Sequence, residues 1–243
     1  MIHFKRTHSM LTIIKENDTD VILQKAAQFI CQKLRDALAV QSSVNMAVPG
    51  GRSVAKIFDA MRQELVDWTR VHFFIVDERL VPIDHPDSNY RLLKDHLITP
   101  LAREGKIPPD NAHPFILDTT AADRGTRAYE EVLAKQGFRY DIILLSSGED
   151  GHVGALFPDH HSVTDPHHGF IVMDDSPKPP PERMTSSLSL MLTAQTGILL
   201  FTGESKREAF GRFCNASISV SSCPARFLIE MKDATVFTDQ MEE

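Results

Sequence analysis

Apolar positions follow two rhythms along the chain. After Asp18 and Thr19, good helix-start residues, Ile22, Ala26, Phe29, Ile30, Leu34, Ala37 and Leu38 recur at helical spacing and predict a helix that buries one face. Residues 44–48, 71–76, 141–145 and 197–201 are instead apolar almost without interruption. A strand needs such a run when both faces of its sheet are covered. Residues 11–14, 170–173 and 236–237 are shorter strand candidates. Further helical patterns run over 54–67, 89–98, 120–136 and 205–213, the third stopped by Gly137, and the Pro-rich stretch 100–114 predicts an irregular connection. Strands alternating with helices predict one α/β domain over residues 1–243, a Rossmann-like three-layer sandwich with a mostly parallel sheet.

In such sheets ligands sit beyond the carboxyl ends of the strands, which directs attention to four turns: 49–53, 77–79, 147–152 and 203–206. Gly50 and Gly51 let backbone amides approach an anion ahead of a helix, with Arg52 and Ser53 as further donors; a tight turn without ligand reads equally well. Neither G-x-x-x-x-G-K-[ST] nor G-x-G-x-x-G is present. Asp77, Glu78 and Arg79 end a buried strand, either as solvated tip residues or as a site in which Arg79 meets an anionic or carbonyl oxygen and Asp77 is held rigid. His152 follows Asp150 and Gly151 after the 141–145 strand. The pattern places it near a helix N-terminus, whose dipole favours a neutral imidazole, with Asp150 set to hold the other ring nitrogen. A helix-capping Asp150 beside an incidental loop histidine is the bland alternative. Lys178 and Arg183, in the stiff segment 178–183, and Lys206 are each a surface cation or part of an anion clamp.

Composition narrows the partners. Twenty-six Lys and Arg against 33 Asp and Glu leave a net charge of -7, which excludes a broad nucleic-acid surface. No apolar run reaches membrane-spanning length, and no apolar core follows the basic first residues as a secretory signal requires. Cys31, Cys214 and Cys223 form no disulfide framework and no C-x-x-C, which suits a reducing cytoplasm. His160, His161, His167 and His168 lack the cysteines or spaced carboxylates of a zinc motif and read as a solvated loop, so no metal site is expected.

The motifs PGGRS (49–53), VDERLVPIDHPDSNY (76–90), GEDGHVGALFP (148–158), SPKPPPERMT (176–185), TGESK (202–206) and CPARFL (223–228), in this order, resemble the 6-phosphogluconolactonase branch of a sugar-phosphate family that also contains glucosamine-6-phosphate deaminases. Deaminases resemble one another in D-E-Y where this chain has Asp77-Glu78-Arg79, and in a glutamate where it has Phe157. The family's Ser-Gly-Gly-Ser-Thr-Pro is Pro49-Gly50-Gly51-Arg52-Ser53-Val54 here. The resemblance implies hydrolysis of a sugar-phosphate lactone without cofactor. His152 would be the general base, Asp150 would orient it and Arg79 would polarise the carbonyl. Gly50, Gly51, Arg52, Ser53, Arg183 and Lys206 would hold the phosphate, with Asp77 also at the substrate. An amino-sugar-phosphate deaminase and a non-catalytic sugar-phosphate sensor are the competing readings.

Overall fold

The computed structural model describes residues 2–6 and 9–241. Its main sheet contains β1 (Ile2–Arg6), β2 (Ser9–Lys15), β3 (Val44–Val48), β4 (Val71–Ile75), β6 (Ala112–His113), β7 (Ile142–Ser146), β10 (Thr196–Phe201) and β11 (Asp233–Thr238), in the order β1-β2-β11-β10-β7-β3-β4-β6. All neighbours pair in parallel except β1 with β2. A second, antiparallel sheet joins β5 (Asp77–Arg79), β9 (Arg183–Ser186) and β8 (Phe170–Met173). The helices are α1 (Thr19–Leu38), α2 (Arg52–Met61), α3 (Asn89–Leu93), α4 (Thr99–Arg103), α5 (Thr126–Ala134), α6 (His161–Thr164), α7 (Leu188–Met191) and α8 (Arg207–Cys214).

Alternate side chains of the parallel strands feed two cores. Ile22, Ile30, Val54, Phe58 and Leu93 pack with Met46, Phe73, Leu144 and Ile198 on one face. Phe115, Tyr129, Leu190 and Phe213 pack with Phe74, Leu145, Leu199 and Val236 on the other. This is the two-sided burial that unbroken apolar strands imply. Asp18 caps α1, accepting from the amides of Asp20 and Val21.

Several element boundaries differ from the sequence pattern. The helix expected over 54–67 stops at Met61, because its buried face of Val54, Ile57, Phe58 and Met61 has no continuation: Leu65 is exposed, and the chain turns so that Trp68 is buried against Phe73. Thr120 to Gly125 form turns anchored on the Asp118 and Asp123 carboxylates, so α5 begins only at Thr126. Pro100 does not begin an irregular segment. The helical path continues from α3 into α4 through a π turn, Lys94–Ile98, in which the Thr99 amide bonds Lys94 O. The wider turn lies just where proline's missing N–H would break an α ladder.

Two features position the site. The strand order reverses between β3 and β7, so the crevice beyond their carboxyl ends is the switch point at which open sheets hold ligands. The extended chain also continues past β4: the Val76 amide donates to Val48 O and the Val76 carbonyl accepts from the Ser186 amide at 2.7 Å. One path thus belongs to both sheets, and residues 77–79, expected as a turn, form a strand instead.

Candidate active site

The sequence folds the 147–152 turn into a tight cradle. Ser147 N–H donates to Leu200 O, Gly148 N–H to His152 O at 2.8 Å, and Ala225 N–H to Gly151 O at 2.9 Å. Gly151 adopts φ +92°, where a side chain is strained. A Cβ on Gly148 would lie 2.1 Å from the His152 ring, so the imidazole rests directly on that α-carbon. His152 Nδ1 lies 2.6 Å from Asp150 Oδ1, which also accepts the His152 amide at 3.1 Å. Burial raises the Asp150 pKa, but the hydrogen bond and charge of His152, with Lys178 behind them, hold it well below the usual carboxylate range. No helix starts at His152. Gly151, Gly154 at φ +58° and Pro158 leave turns and a Val153–Leu156 bridge, so the expected dipole does not act on the ring.

The cleft over this dyad has a volume of about 320 Å³ and lies at the β3/β7 switch point. Gly50 and Gly51 line it just ahead of α2, whose N-terminus carries no side-chain cap. Arg52 and Ser53 do not line it. Arg52 is exposed, and Ser53 Oγ accepts from Thr202 Oγ1 at 3.0 Å. The helix begins there, and its first residues turn away from the crevice that the two glycines face.

Arg79 and Arg183 stand directly opposite each other across the β5–β9 pair. Like charges in that register repel, and the carboxylates of Asp77, Glu78 and Asp87 offset that repulsion at Arg183. Arg183 is buried, its Nε and Nη2 fixed by Pro180 O and Pro179 O at 2.8 and 2.9 Å. Arg79 Nη1 donates to Asp87 O at 2.7 Å, and its buried Nε has no protein partner. Burial raises the Asp77 pKa, against the pull of Arg79, Arg183 and His152. Lys206 lines the cleft half-buried, and burial lowers its pKa.

The sequence does not mark Asn89, the burial of Glu78 or the packing of Phe157 on His152, whereas Lys178 is one of the two cations it places in the stiff 178–183 segment. Asn89, at the start of α3, donates through Nδ2 to Asp77 O at 2.7 Å and lines the cleft. Buried Glu78 accepts from the amides of Arg79, Asn89 and Tyr90 and from Ser88 Oγ, all at 2.8–2.9 Å, and so pins the loop between Arg79 and Asn89. Lys178 reaches the cleft and pairs with Glu149. Phe157 is buried against the His152 ring, centroids 4.8 Å apart. Four cations, Arg79, Lys178, Arg183 and Lys206, face two carboxylates, Asp77 and Glu149, along the lining. The cleft is therefore cationic within an acidic protein. A hydrogen-bonded His–Asp pair beside cationic side chains is an arrangement that can accept a proton next to a bound anion.

The four histidines outside the cleft are not one solvated group. His167 pairs with Glu130 and His168 faces Ser189 Oγ, whereas His160 and His161 converge on Asp175, a carboxylate 14 residues beyond His161.

A family model described as glucosamine-6-phosphate isomerases/6-phosphogluconolactonase matches residues 17–237. A protein of Oryza sativa subsp. japonica named probable 6-phosphogluconolactonase 3, chloroplastic, is 31% identical over 240 residues, 91% of this chain and 72% of its own length. The 6-phosphogluconolactonase of Synechocystis is 28% identical over 229 residues, 90% of this chain and 92% of its own. The crystal structure of 6-phosphogluconolactonase from Thermotoga maritima superposes with a TM-score of 0.77 at 24% identity, covering 94% of this chain and 97% of that one. A monomeric glucosamine-6-phosphate deaminase superposes with the same TM-score at 19% identity, covering 93% and 96%. The fold is thus common to both reactions, and the side chains have to separate them.

Proposed function

From a chain that belongs to the glucosamine-6-phosphate isomerase/6-phosphogluconolactonase family, we propose a 6-phosphogluconolactonase, hydrolysing 6-phospho-D-glucono-1,5-lactone to 6-phosphogluconate with His152 as general base. The observation that carries this reading is the His152–Asp150 contact of 2.6 Å in a cationic cleft, with the hydrocarbon ring of Phe157 packed on the imidazole.

An activated ester needs an oriented water and an electrophile for the developing oxyanion, and no covalent nucleophile. In this reading His152 Nε2 takes a proton from water as its oxygen bonds to C1 of the lactone. Asp150 holds Nδ1–H and balances the imidazolium. Arg79 meets the oxyanion through donors left open by its single bond to Asp87 O. The C1–ring-oxygen bond then breaks, and His152 returns its proton to the departing oxygen. Gly50 and Gly51 at the uncapped start of α2, with Arg183 and Lys206, hold the 6-phosphate. Asp77 and Asn89 face the sugar hydroxyls.

The deaminase reading needs a carboxylate at position 157 to move protons during ring opening, and Phe157 has none. Activity is tested by following acceleration over spontaneous hydrolysis, with freshly made lactone and a dehydrogenase that oxidises the product. His152→Ala is expected to lower kcat by about 10²–10⁴ while 6-phosphogluconate affinity stays within a few-fold. Full activity of that variant would rule the base out, and ammonia release from glucosamine 6-phosphate would revive the deaminase.

A further inference from the structure

Phe157, which packs on His152, also makes an edge contact with the ring of His160, centroids 6.1 Å apart. There, beside the cleft, lie three side chains that lactone hydrolysis does not use. His160 has an extended backbone (φ -96°, ψ 149°) and His161 opens α6, and the change of conformation between them brings their rings within 4.1 Å, centroid to centroid. Asp175, beyond the end of β8, meets both. Its Oδ1 lies 3.3 Å from His160 Nε2 and 3.1 Å from His161 Nε2, and its Oδ2 lies 3.2 Å from the latter.

Pairing of His161 with Asp175 accounts for only one imidazole. His160 Nε2 is buried and makes no hydrogen bond; its approach to Asp175 Oδ1 lacks the alignment. A buried ring nitrogen without a partner calls for an explanation, and an ion is one. Bonds of about 2.0–2.1 Å around a tetrahedral zinc put neighbouring ligand atoms about 3.3–3.4 Å apart; Asp175 Oδ1 lies 3.3 and 3.1 Å from the two ring nitrogens, and all three ligand atoms lie within 4.8 Å of one another. We propose that His160 Nε2, His161 Nε2 and Asp175 Oδ1 bind a divalent transition ion of the zinc type, water completing the tetrahedron.

The donor set selects the ion. Two imidazoles with one carboxylate suit zinc and its first-row neighbours, whereas calcium and magnesium take oxygen ligands. An outer contact is in place as well. Coordination through Nε2 puts the proton of His160 on Nδ1, 3.0 Å from Ser162 Oγ, which accepts it in exchange for the cap bond that the Ser162 amide makes to Nδ1 at 3.2 Å. The ion would fasten the start of α6 to the Pro-rich loop that begins at Ser176 and carries Lys178 into the cleft. The site stands independently of the lactonase reading.

Tag-free full-length protein, stripped with a chelator and dialysed, is titrated with zinc by calorimetry. One ion per chain with micromolar or tighter affinity is expected, and zinc should raise Tm. His161→Ala and Asp175→Asn change side chains that are each 57% exposed, so both variants should fold. Each should weaken binding at least about tenfold and lose the zinc-dependent rise in Tm, while His167→Ala binds as the parent does. Cobalt should give the intense visible bands of tetrahedral coordination in the parent and not in Asp175→Asn. No saturable binding, or equal affinity in the parent and Asp175→Asn, would overturn the site.

Discussion

Replacing Asp150 by Asn tests the mechanism most sharply, because it removes a charge and leaves the shape. In the parent, a carboxylate oxygen lies 2.6 Å from His152 Nδ1, and the two side chains are only 22% and 26% exposed. In the proposed mechanism, once His152 has taken the proton from water, the centres of the new positive charge and the carboxylate stand roughly 4 Å apart, an attraction of about 4 kcal/mol at an effective dielectric of 20. Partial exposure and the residual bond from an amide oxygen reduce the loss to about 3–4 kcal/mol, or about 10²–10³ in kcat. The amide can also take the wrong orientation and donate to Nδ1, which would put the proton on Nε2 and block the base, so the loss belongs at the upper end. KM should move less than about threefold, since Asp150 makes no phosphate contact in this reading. The coupled lactone assay, corrected for spontaneous hydrolysis, reads both constants. A variant that keeps kcat within about threefold would refute the claim that Asp150 stabilises a cationic His152, and a loss confined to KM would move Asp150 to substrate binding.

Three further outcomes follow from contacts already described. Gly148→Ala places a Cβ 2.1 Å from the His152 ring; the ring must swing off Asp150, so kcat should fall by about 10² with Tm nearly unchanged, as measured by assay and melting in parallel. Glu78→Gln leaves two of four buried donors facing an amide NH₂; the cost is about 2–4 kcal/mol, a fall in Tm on the order of 10 °C, and an unchanged melting curve would contradict the pinning role. Burial first, and the charge of His72 second, hold the His113 pKa down to about 4. The unfolded chain therefore takes up that proton first: the stability contributed by neutral His113 is complete above about pH 6.5 and is lost as pH falls toward 4. After allowance for its partial exposure, about 1–2 kcal/mol should disappear across this window, and His113→Phe should flatten that part of a urea-midpoint profile against pH.

The legible parts of the molecule were those decided by neighbours in sequence. Unbroken apolar runs marked β3, β4, β7 and β10 because each is buried on both faces, whatever lies beside it. The Asp150–His152 contact spans two residues across a glycine, so spacing alone carried it. Of the second sheet only β8 was legible: β5 holds three charged residues, and its partner β9 lies over a hundred positions away. Neither shows an apolar rhythm, and only the pairing reveals that Arg79 and Arg183 face each other. Arg52 and Ser53 lie outside the cleft lining, because adjacency to two glycines does not say which way a helix's first turn points. The helix expected after His152 ignored two glycines and a proline that were in plain view. Glu78 was hidden among charged neighbours, since nothing in a sequence marks a carboxylate that will be buried under four donors. The carboxylate beside His160 and His161 is likewise unmarked in the sequence, since Asp175 lies 14 residues beyond His161 and is brought back by the path of the chain.

Val76, the residue shared by the two sheets, makes the cleft a stiff joint. The His–Asp dyad stands on a strand end of one sheet and the arginines on the other, yet a single extended path crosses between them, locked at Val48 O and at the Ser186 amide. The two halves cannot open like jaws without breaking those bonds, so His152 keeps a fixed separation from Arg79 and Arg183. Any change in the reach of the cleft would then have to come from the loops rooted on this joint, 80–88 and 174–182, while the span between the imidazole and the two guanidinium groups stays constant, as in a gauge whose frame is fixed and whose tips are exchanged.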